Sequence, residues 1–389
     1  MQIDSFRIQN YRVLQDVSFQ KLTQLTVLVG ANGSGKSTVF DAFAFLHEAF
    51  TTGLRGAWDR RNRMAAIISR GSDGPVHFEL KYTVPVDGRE KQTTYSLAIS
   101  EQGGAPVVER EVLRWTTAPG SGRPREILRF ENGVGRVYDE ATESSQEETL
   151  SSPDLLAVSA LGQMQRHVRV RALREFIQGW YLSYLSAANT RGTPTSGPES
   201  RLNQSGDNLA NVLQYLEERH PETLQEVFDA LGSRVPQLES IRPTRLEDGR
   251  LLLRLKDRSF EDPVLATYTS DGTLKLLAYL TLLHDPNPPT VIGIEEPENQ
   301  LHPALVPRLA EDIRALSTRS QVFVTTHSRE FLEAIQAKEL WTIGRGEDGY
   351  ARVQRVSDDP RVKAMLNEGA TLSELWSEGY LAGANPPGM

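Results

Sequence analysis

There is no cysteine among the 389 residues, which excludes disulfides, thiolate zinc sites and cysteine nucleophiles. No apolar run approaches the roughly 18 residues that a bilayer-spanning helix needs. The opening Met1-Gln2-Ile3-Asp4-Ser5-Phe6 lacks the basic stretch and apolar core of a secretory leader. Bulk positive charge is missing too: 43 Lys and Arg against 51 Asp and Glu leave a net charge of -8. That argues against a protein that coats nucleic acid through overall charge. Neither an internal repeat nor a long heptad segment is present. What is there, 39% hydrophobic and 24% charged residues, reads as a soluble globular chain with enough length for one large domain or two ordinary ones, and the lack of cysteine fits a cytosolic one.

Basic residues do gather in two places, Arg55, Arg60, Arg61, Arg63 and Arg70, and then Arg166, His167, Arg169, Arg171 and Arg174. Each reads either as solvated surface or as a contact to phosphate or DNA.

Strand-like alternation opens the chain (Ile3, Phe6, Ile8; Val13, Val17, Phe19), followed by the short apolar strand Leu25-Thr26-Val27-Leu28-Val29. From Ser37 the apolar residues Val39, Phe40, Phe43 and Leu46 take up helical spacing. Between His77 and about Tyr138 the period is two, with Asp87-Gly88 and Asn132-Gly133 as turn signals, so an antiparallel β-lobe is expected over 76–140. The acidic, Ser-rich stretch from Glu140 to Pro153 reads as an exposed loop, and Asn189–Gly206 as a linker. Leu209, Val212, Leu213 and Leu216 share one helix face. A strand at Leu251–Leu255, a helix near Thr273–Leu283, buried strands at 291–294 and 322–324 with a helix through Leu305–Leu316 between them, a hairpin near Gly344–Val356 and a helix near Thr371–Trp376 complete the pattern. The reading is one α/β domain over 1–389. Its stretches are 1–75 (first strands and glycine loop), 76–140 (β-lobe), 150–265 (helical insertion), 266–350 and a tail, 351–389.

Gly30-Ala31-Asn32-Gly33-Ser34-Gly35-Lys36-Ser37 satisfies G-x-x-x-x-G-K-[ST] in full, between a strand and a helix, with Thr38 next. Glycines let successive N–H groups curl round a β-phosphate where a Cβ would collide, and the helix directs its positive end at the same anion. Lys36 is expected on the β- and γ-phosphates and the Ser37 hydroxyl on Mg²⁺. Val291-Ile292-Gly293-Ile294-Glu295-Glu296 is an apolar strand ending in two carboxylates. Glu295 is expected to hold the metal, directly or through its waters, and Glu296 to position or deprotonate the attacking water. Val322-Phe323-Val324-Thr325-Thr326-His327 ends a second apolar strand on a histidine suited to sense a γ-phosphate.

With Ser270-Asp271-Gly272-Thr273 opening a helix, these motifs resemble an ABC-type ATPase head: Walker A, a signature, a Walker B with a second acidic residue, and a switch histidine. Phe6-Arg7-Ile8-Gln9-Asn10-Tyr11-Arg12 and Glu296-Pro297-Glu298-Asn299-Gln300-Leu301-His302-Pro303 make it similar to the SMC/RecF/OLD branch. More narrowly, it resembles the compact bacterial AAA-type ATPases grouped with the OLD nucleases. The resemblance implies a P-loop fold with a mixed central sheet and a helical signature lobe. It also implies ATP and Mg²⁺ as cofactors, and a head-to-tail homodimer in which Ser270 and Gly272 cap the nucleotide of the other subunit. Gln163 and Gln165 are the candidates for the family's metal-sensing glutamine. No Toprim-like Glu and Asp-x-Asp set, and no HNH or His-x-Glu zinc pattern, is visible, so a nuclease would be a separate chain. The expected role is an ATP-hydrolysing switch for such an effector, a nuclease or toxin, in anti-phage defence. The alternatives are a RecF-like DNA-binding repair ATPase and, behind it, a transporter subunit.

Overall fold

The computed structural model describes residues 1–86, 89–116, 124–197 and 199–385. Contacts group them into two compact units, Met1–Trp180 with Gln336–Met389, and Tyr181–Ile335, where the sequence reading treats 1–389 as one domain.

The first unit is built on an eight-stranded antiparallel sheet. In spatial order its strands are Leu14–Gln20, Gln2–Tyr11, Val76–Val86, Arg89–Gln102, Ala105–Trp115, Arg125–Glu131, Val134–Asp139 and Ser144–Thr149. Alternation buries Phe6, Ile8, Phe78, Leu80, Tyr95 and Leu97 on one face. Helix Lys36–Thr51 closes over that face, with Phe43 against Phe6 at 4.5 Å and Phe45 against Phe78 at 5.7 Å between ring centroids. Each such ring contributes about 1.5–3 kcal/mol by leaving water. Asn132 and Gly133, both at positive φ, make the two-residue hairpin turn expected of them. The Asp87-Gly88 turn lies outside the described residues.

The antiparallel lobe therefore reaches beyond 76–140, taking in the two N-terminal strands and a last strand, Ser144–Thr149. That last strand corrects the expectation of an exposed loop over 140–153. It pairs with Val134–Asp139 from Val134↔Thr149 to Asp139↔Ser144, but it lies at the sheet edge and buries neither face. Backbone pairing and polar contacts, Gln146 to Asp139 at 3.2 Å and Arg166 to Glu148 at 3.0 Å, hold it, so no apolar alternation marks it. Elsewhere in this unit Leu25–Val29 runs parallel to Leu340–Arg345, which forms a hairpin with Ala351–Arg355. Helix Leu372–Ser377 starts from a reciprocal Thr371–Glu374 capping box.

Glu111 is fully buried in this sheet. It accepts hydrogen bonds from the Tyr95 hydroxyl (2.9 Å) and from the Ala157 and Val158 amides (2.5 and 3.2 Å). Burial outweighs these bonds and pushes its carboxyl up to about 7. The folded chain thus holds the proton more tightly than the unfolded one. This contribution to stability is complete below the unfolded carboxyl range and is lost as pH rises through about 7. The loss above that pH is about 3 kcal/mol. Urea midpoints should therefore fall between pH 5.5 and 8 in the wild type, and fall less in Glu111→Gln. Equal pH dependence in the two would show that Glu111 does not carry it.

In the second unit three parallel strands, Tyr181–Ser183, Val291–Glu295 and Gln321–Thr326, lie side by side in that order. Helix Asp271–Leu283 is buried along nearly its whole length from Leu274, and Val306–Leu316 buries Val306, Leu309, Ile313 and Leu316. The 150–265 stretch is less helical than expected. Besides helices Leu209–Arg219 and Pro221–Gly232, it holds a three-stranded antiparallel sheet of Leu238–Arg245, Leu251–Asp257 and Val264–Leu265. Nor is 189–206 a free linker. The buried Asn211 donates to Thr195 O and Gly197 O at 2.9 and 3.1 Å, and Asn208 to Arg201 O at 3.0 Å. These amides satisfy backbone carbonyls that a polar composition alone would assign to water. Among the described residues no helix is long and apolar enough to cross a membrane.

Candidate functional site: a phosphate loop and a carboxylate–histidine pair

Strand Leu25–Val29 is buried throughout and delivers the chain to Gly30. A Cβ on Gly30 would stand 2.2 Å from the Ile343 carbonyl oxygen, and Gly33 and Gly35 have φ of +74° and +117°. The loop can be followed only by residues without side chains at these points. Gly35 caps helix Lys36–Thr51, which has no side-chain cap and no acidic residue in its first turn. Its N-terminal amides and dipole are thus left to an anion. Lys36 is 5% exposed, and its Nζ donates to Gly30 O at 2.8 Å and Ala31 O at 3.1 Å. The Ser34 hydroxyl is buried with no hydrogen-bond partner among the described residues. Asn32 and Ser37 are exposed, and Ala31 and Thr38 half-buried. A glycine cradle, an uncapped helix end, a buried ammonium and an orphaned hydroxyl together fit the phosphates of a nucleotide.

One participant was not legible in the sequence. Arg345 Nε donates to Gly33 O at 2.7 Å, bracing the loop from a strand 312 positions away. Arg345 also lines a cavity of about 490 Å³ with Arg12, Val13, Arg70 and Tyr350. Val13 in turn touches the position a Gly35 Cβ would occupy.

In the second unit, Val291–Ile294 are buried and Glu295 emerges half-buried at the strand tip. Glu296 follows with φ +42°, unusual for a residue with a side chain. Its amide donates to Thr325 O at 3.0 Å. Its carboxylate lies 3.2 Å from His327 Nε2 through Oε1 and accepts from Asn299 Nδ2 at 2.7 Å through Oε2. The His327 amide donates to Glu298 Oε1 at 2.6 Å. The structure thus brings Glu296 and His327 together, as the two parallel strands end side by side. Asn299 and Glu298 stand in the motif quoted from the sequence, but the sequence reading gave neither a role: Asn299 lies three positions after Glu296, and the Glu298 partner is 29 positions away.

Ser270 caps helix Asp271–Leu283, its Oγ accepting from the Thr273 amide at 3.2 Å and sharing a 2.7 Å hydrogen bond with the Thr273 hydroxyl. A Cβ on Gly272 would stand 2.7 Å from Gln300 O. Arg191 holds this end of the helix through Asp271 at 2.5 Å and Thr269 O at 2.6 Å. Gln163 and Gln165 are exposed, and the Gln163 amide donates to Ser159 O. Among the described residues no group of three or more His, Asp or Glu forms a metal cage. Magnesium bound with a nucleotide needs only one or two protein oxygens beside phosphate and water, and the Ser37 hydroxyl and Glu295 carboxylate are of that kind.

Most of the basic clusters are engaged internally. Arg61 pairs with Asp41 and Glu48, Arg60 with Glu48, Arg63 with Asp59, and Arg55 with Asp154. Arg166 pairs with Glu148 and Arg171 with Glu175, while Arg169 lies over the Trp115 and Tyr138 rings.

A glycine loop opening a helix from a buried strand, with an acidic strand tip and a histidine on its neighbour, defines a P-loop nucleotide-binding protein. The chain belongs to the family described as "AAA domain, putative AbiEii toxin, Type IV TA system", whose profile matches residues 25–333. No curated protein matches it. Among solved structures it is similar to an SMC head bound to the C-winged helix domain of ScpA. The identity is 17%, with 91% of this chain and 97% of that one covered and a TM-score of 0.55. It is also similar to the SMC head domain from Thermotoga maritima, at 15% identity over 92% and 99% of the two chains, with a TM-score of 0.47. The first of these likenesses shows the fold, that of an SMC head domain.

Proposed function

We propose that this chain is an ATP-hydrolysing switch that closes into a head-to-tail homodimer on ATP and opens on hydrolysis, and that a separate effector, a nuclease or toxin, reads its state in anti-phage defence. The observation that carries hydrolysis is the Glu296 carboxylate held between His327 and Asn299 at the end of a buried strand. In this reading the loop Gly30–Thr38 binds the phosphates and Lys36 neutralises them. Magnesium, held by Ser37 and Glu295, would supply charge compensation on the β- and γ-phosphates. Glu296 orients the attacking water and takes its proton. His327 braces the carboxylate and offers a hydrogen bond to the γ-phosphate. The hollow lined by Arg12, Arg70, Arg345 and Tyr350 would take the nucleoside. The family description, with its toxin and toxin–antitoxin system, supports the defence role. The internal pairing of the basic clusters favours a protein effector over a RecF-like DNA role.

Sharing of the site is the part of this reading that a mixing experiment tests. Lys36→Ala loses the phosphate cation, and Ser270→Arg fills the signature with a bulky side chain. Each variant alone should be inactive. Mixed dimers would hold one site with an intact loop facing an intact signature, so an equimolar mixture should turn over ATP faster than either variant alone, reaching about a quarter of the wild-type rate only where the two sites fire independently. A mixture no faster than its components, from variants shown to exchange subunits, would sink the shared-site mechanism. Copurification of a nuclease or toxin with the chain at native expression would support the effector; DNA-stimulated turnover without such a partner would favour repair.

A further inference from the structure

Lys275 sits in the second turn of the helix that Ser270 caps, and it is 4% exposed. Its ammonium donates to Asn299 O at 2.8 Å and to Glu296 O at 3.5 Å, and lies 5.6 Å from the centre of the Tyr279 ring. Among the described residues no carboxylate pairs with it directly. Burial lowers its pKa, against the pull of Glu298 and Glu296. A buried cation bound only to carbonyls is a costly way to fill a core position, and an apolar side chain of similar length would pack there at least as well. The charge is better explained by what it holds. The turn from Glu296 to Gln300 begins and ends on residues with side chains at positive φ, +42° and +68°. Such backbone persists where its surroundings fix it. Three contacts from one helix do so: Lys275 on two carbonyls, Gly272 packed against Gln300 O, and Asp271 accepting from Gln300 Nε2 at 3.5 Å. Asn299, whose carbonyl Lys275 holds, also donates to the Glu296 carboxylate.

We propose that Lys275 is a positioning residue for hydrolysis: it ties the signature helix to the Glu296–Gln300 turn, so that an anion engaging the Ser270–Gly272 end sets the attitude of the Glu296 carboxylate. This rests on the ATPase reading above. In the head-to-tail dimer the anion at Ser270 is the partner's γ-phosphate, while Glu296 serves the chain's own nucleotide. The strut therefore makes each site's chemistry depend on the other's occupancy.

The test compares full-length wild type, Lys275→Met and Lys275→Arg by steady-state ATP hydrolysis, fluorescent-nucleotide binding and thermal melting. Methionine keeps length and packing but drops the charge. Displacing a catalytic group by about an ångström costs about 10²-fold, so Lys275→Met should lose that much kcat. KM, nucleotide affinity and melting temperature should stay close to wild type, and Lys275→Arg should recover part of the rate. Wild-type kcat in a folded Lys275→Met overturns the proposal. So does a parallel loss of affinity, kcat and melting temperature in both variants, which would reduce Lys275 to a packing residue. If the wild type itself does not turn over ATP, the ATPase reading falls and this inference with it; if only the Lys275 comparison fails, the ATPase reading stands.

Discussion

Glu296→Gln should cut ATP turnover by about 10²–10⁴-fold while leaving nucleotide binding intact. The change is nearly isosteric. An amide oxygen can still accept from Asn299 Nδ2, now 2.7 Å from the carboxylate, and the backbone at φ +42° is untouched. What disappears is the base: a neutral amide neither takes a proton from water nor attracts the His327 ring that lies 3.2 Å away. Glu295 and Ser37, the proposed metal ligands, are unchanged. The variant should accumulate with ATP bound, and light scattering should show a dimer that outlives the wild-type one. A variant that stays monomeric under saturating ATP, while the wild type dimerises, would reverse the roles given to Glu295 and Glu296.

Lys36→Ala should weaken nucleotide binding by about 10²-fold or more, the scale of losing several charge-assisted hydrogen bonds from one site. The ammonium lies 5% exposed within the loop, on the carbonyls of Gly30 and Ala31. Alanine removes the ammonium from both carbonyls, although Ala31 O keeps the Ser34 amide at 3.2 Å, and it leaves the phosphates without their cation. The loop's shape should survive, because it is set by glycine backbone and by Arg345 on Gly33 O. Calorimetry on the folded variant reads the result directly. Unchanged affinity for ATP would count against the assignment of the whole loop.

What could be read in advance was what lies close together along the chain. The phosphate loop is contiguous, and Gly33 and Gly35 answer to positive φ, although the backbone that most excludes a side chain at Gly30 is the distant Ile343 carbonyl. The Asn132-Gly133 hairpin and the Thr371–Glu374 cap are local in the same sense. The pairing of Glu296 with His327 could be anticipated because both end short apolar strands. The missed features depend on distant partners. Arg345 reaches the loop from the far end of the chain. Nothing in the sequence marks Lys275, and only the fold shows its ammonium turned inward onto a turn 21 and 24 positions away. Asn208 and Asn211 convert a linker-like composition into pinned backbone for the same reason.

The strand Ser144–Thr149 has one further consequence, for solubility. At the other end of the eight-stranded sheet, Leu14–Gln20 is shielded: Arg355 donates to the carbonyls of Gln20 and Lys21, and Ala351 to Val13 O. Ser144–Thr149 pairs on one side only, and the sequence Ser-Ser-Gln-Glu-Glu-Thr puts two carboxylates and no apolar side chain along it. Another strand approaching this border would have to desolvate Glu147 and Glu148. The polarity that hides this strand from a hydrophobicity pattern thus also guards the open border of the sheet against edge-to-edge aggregation.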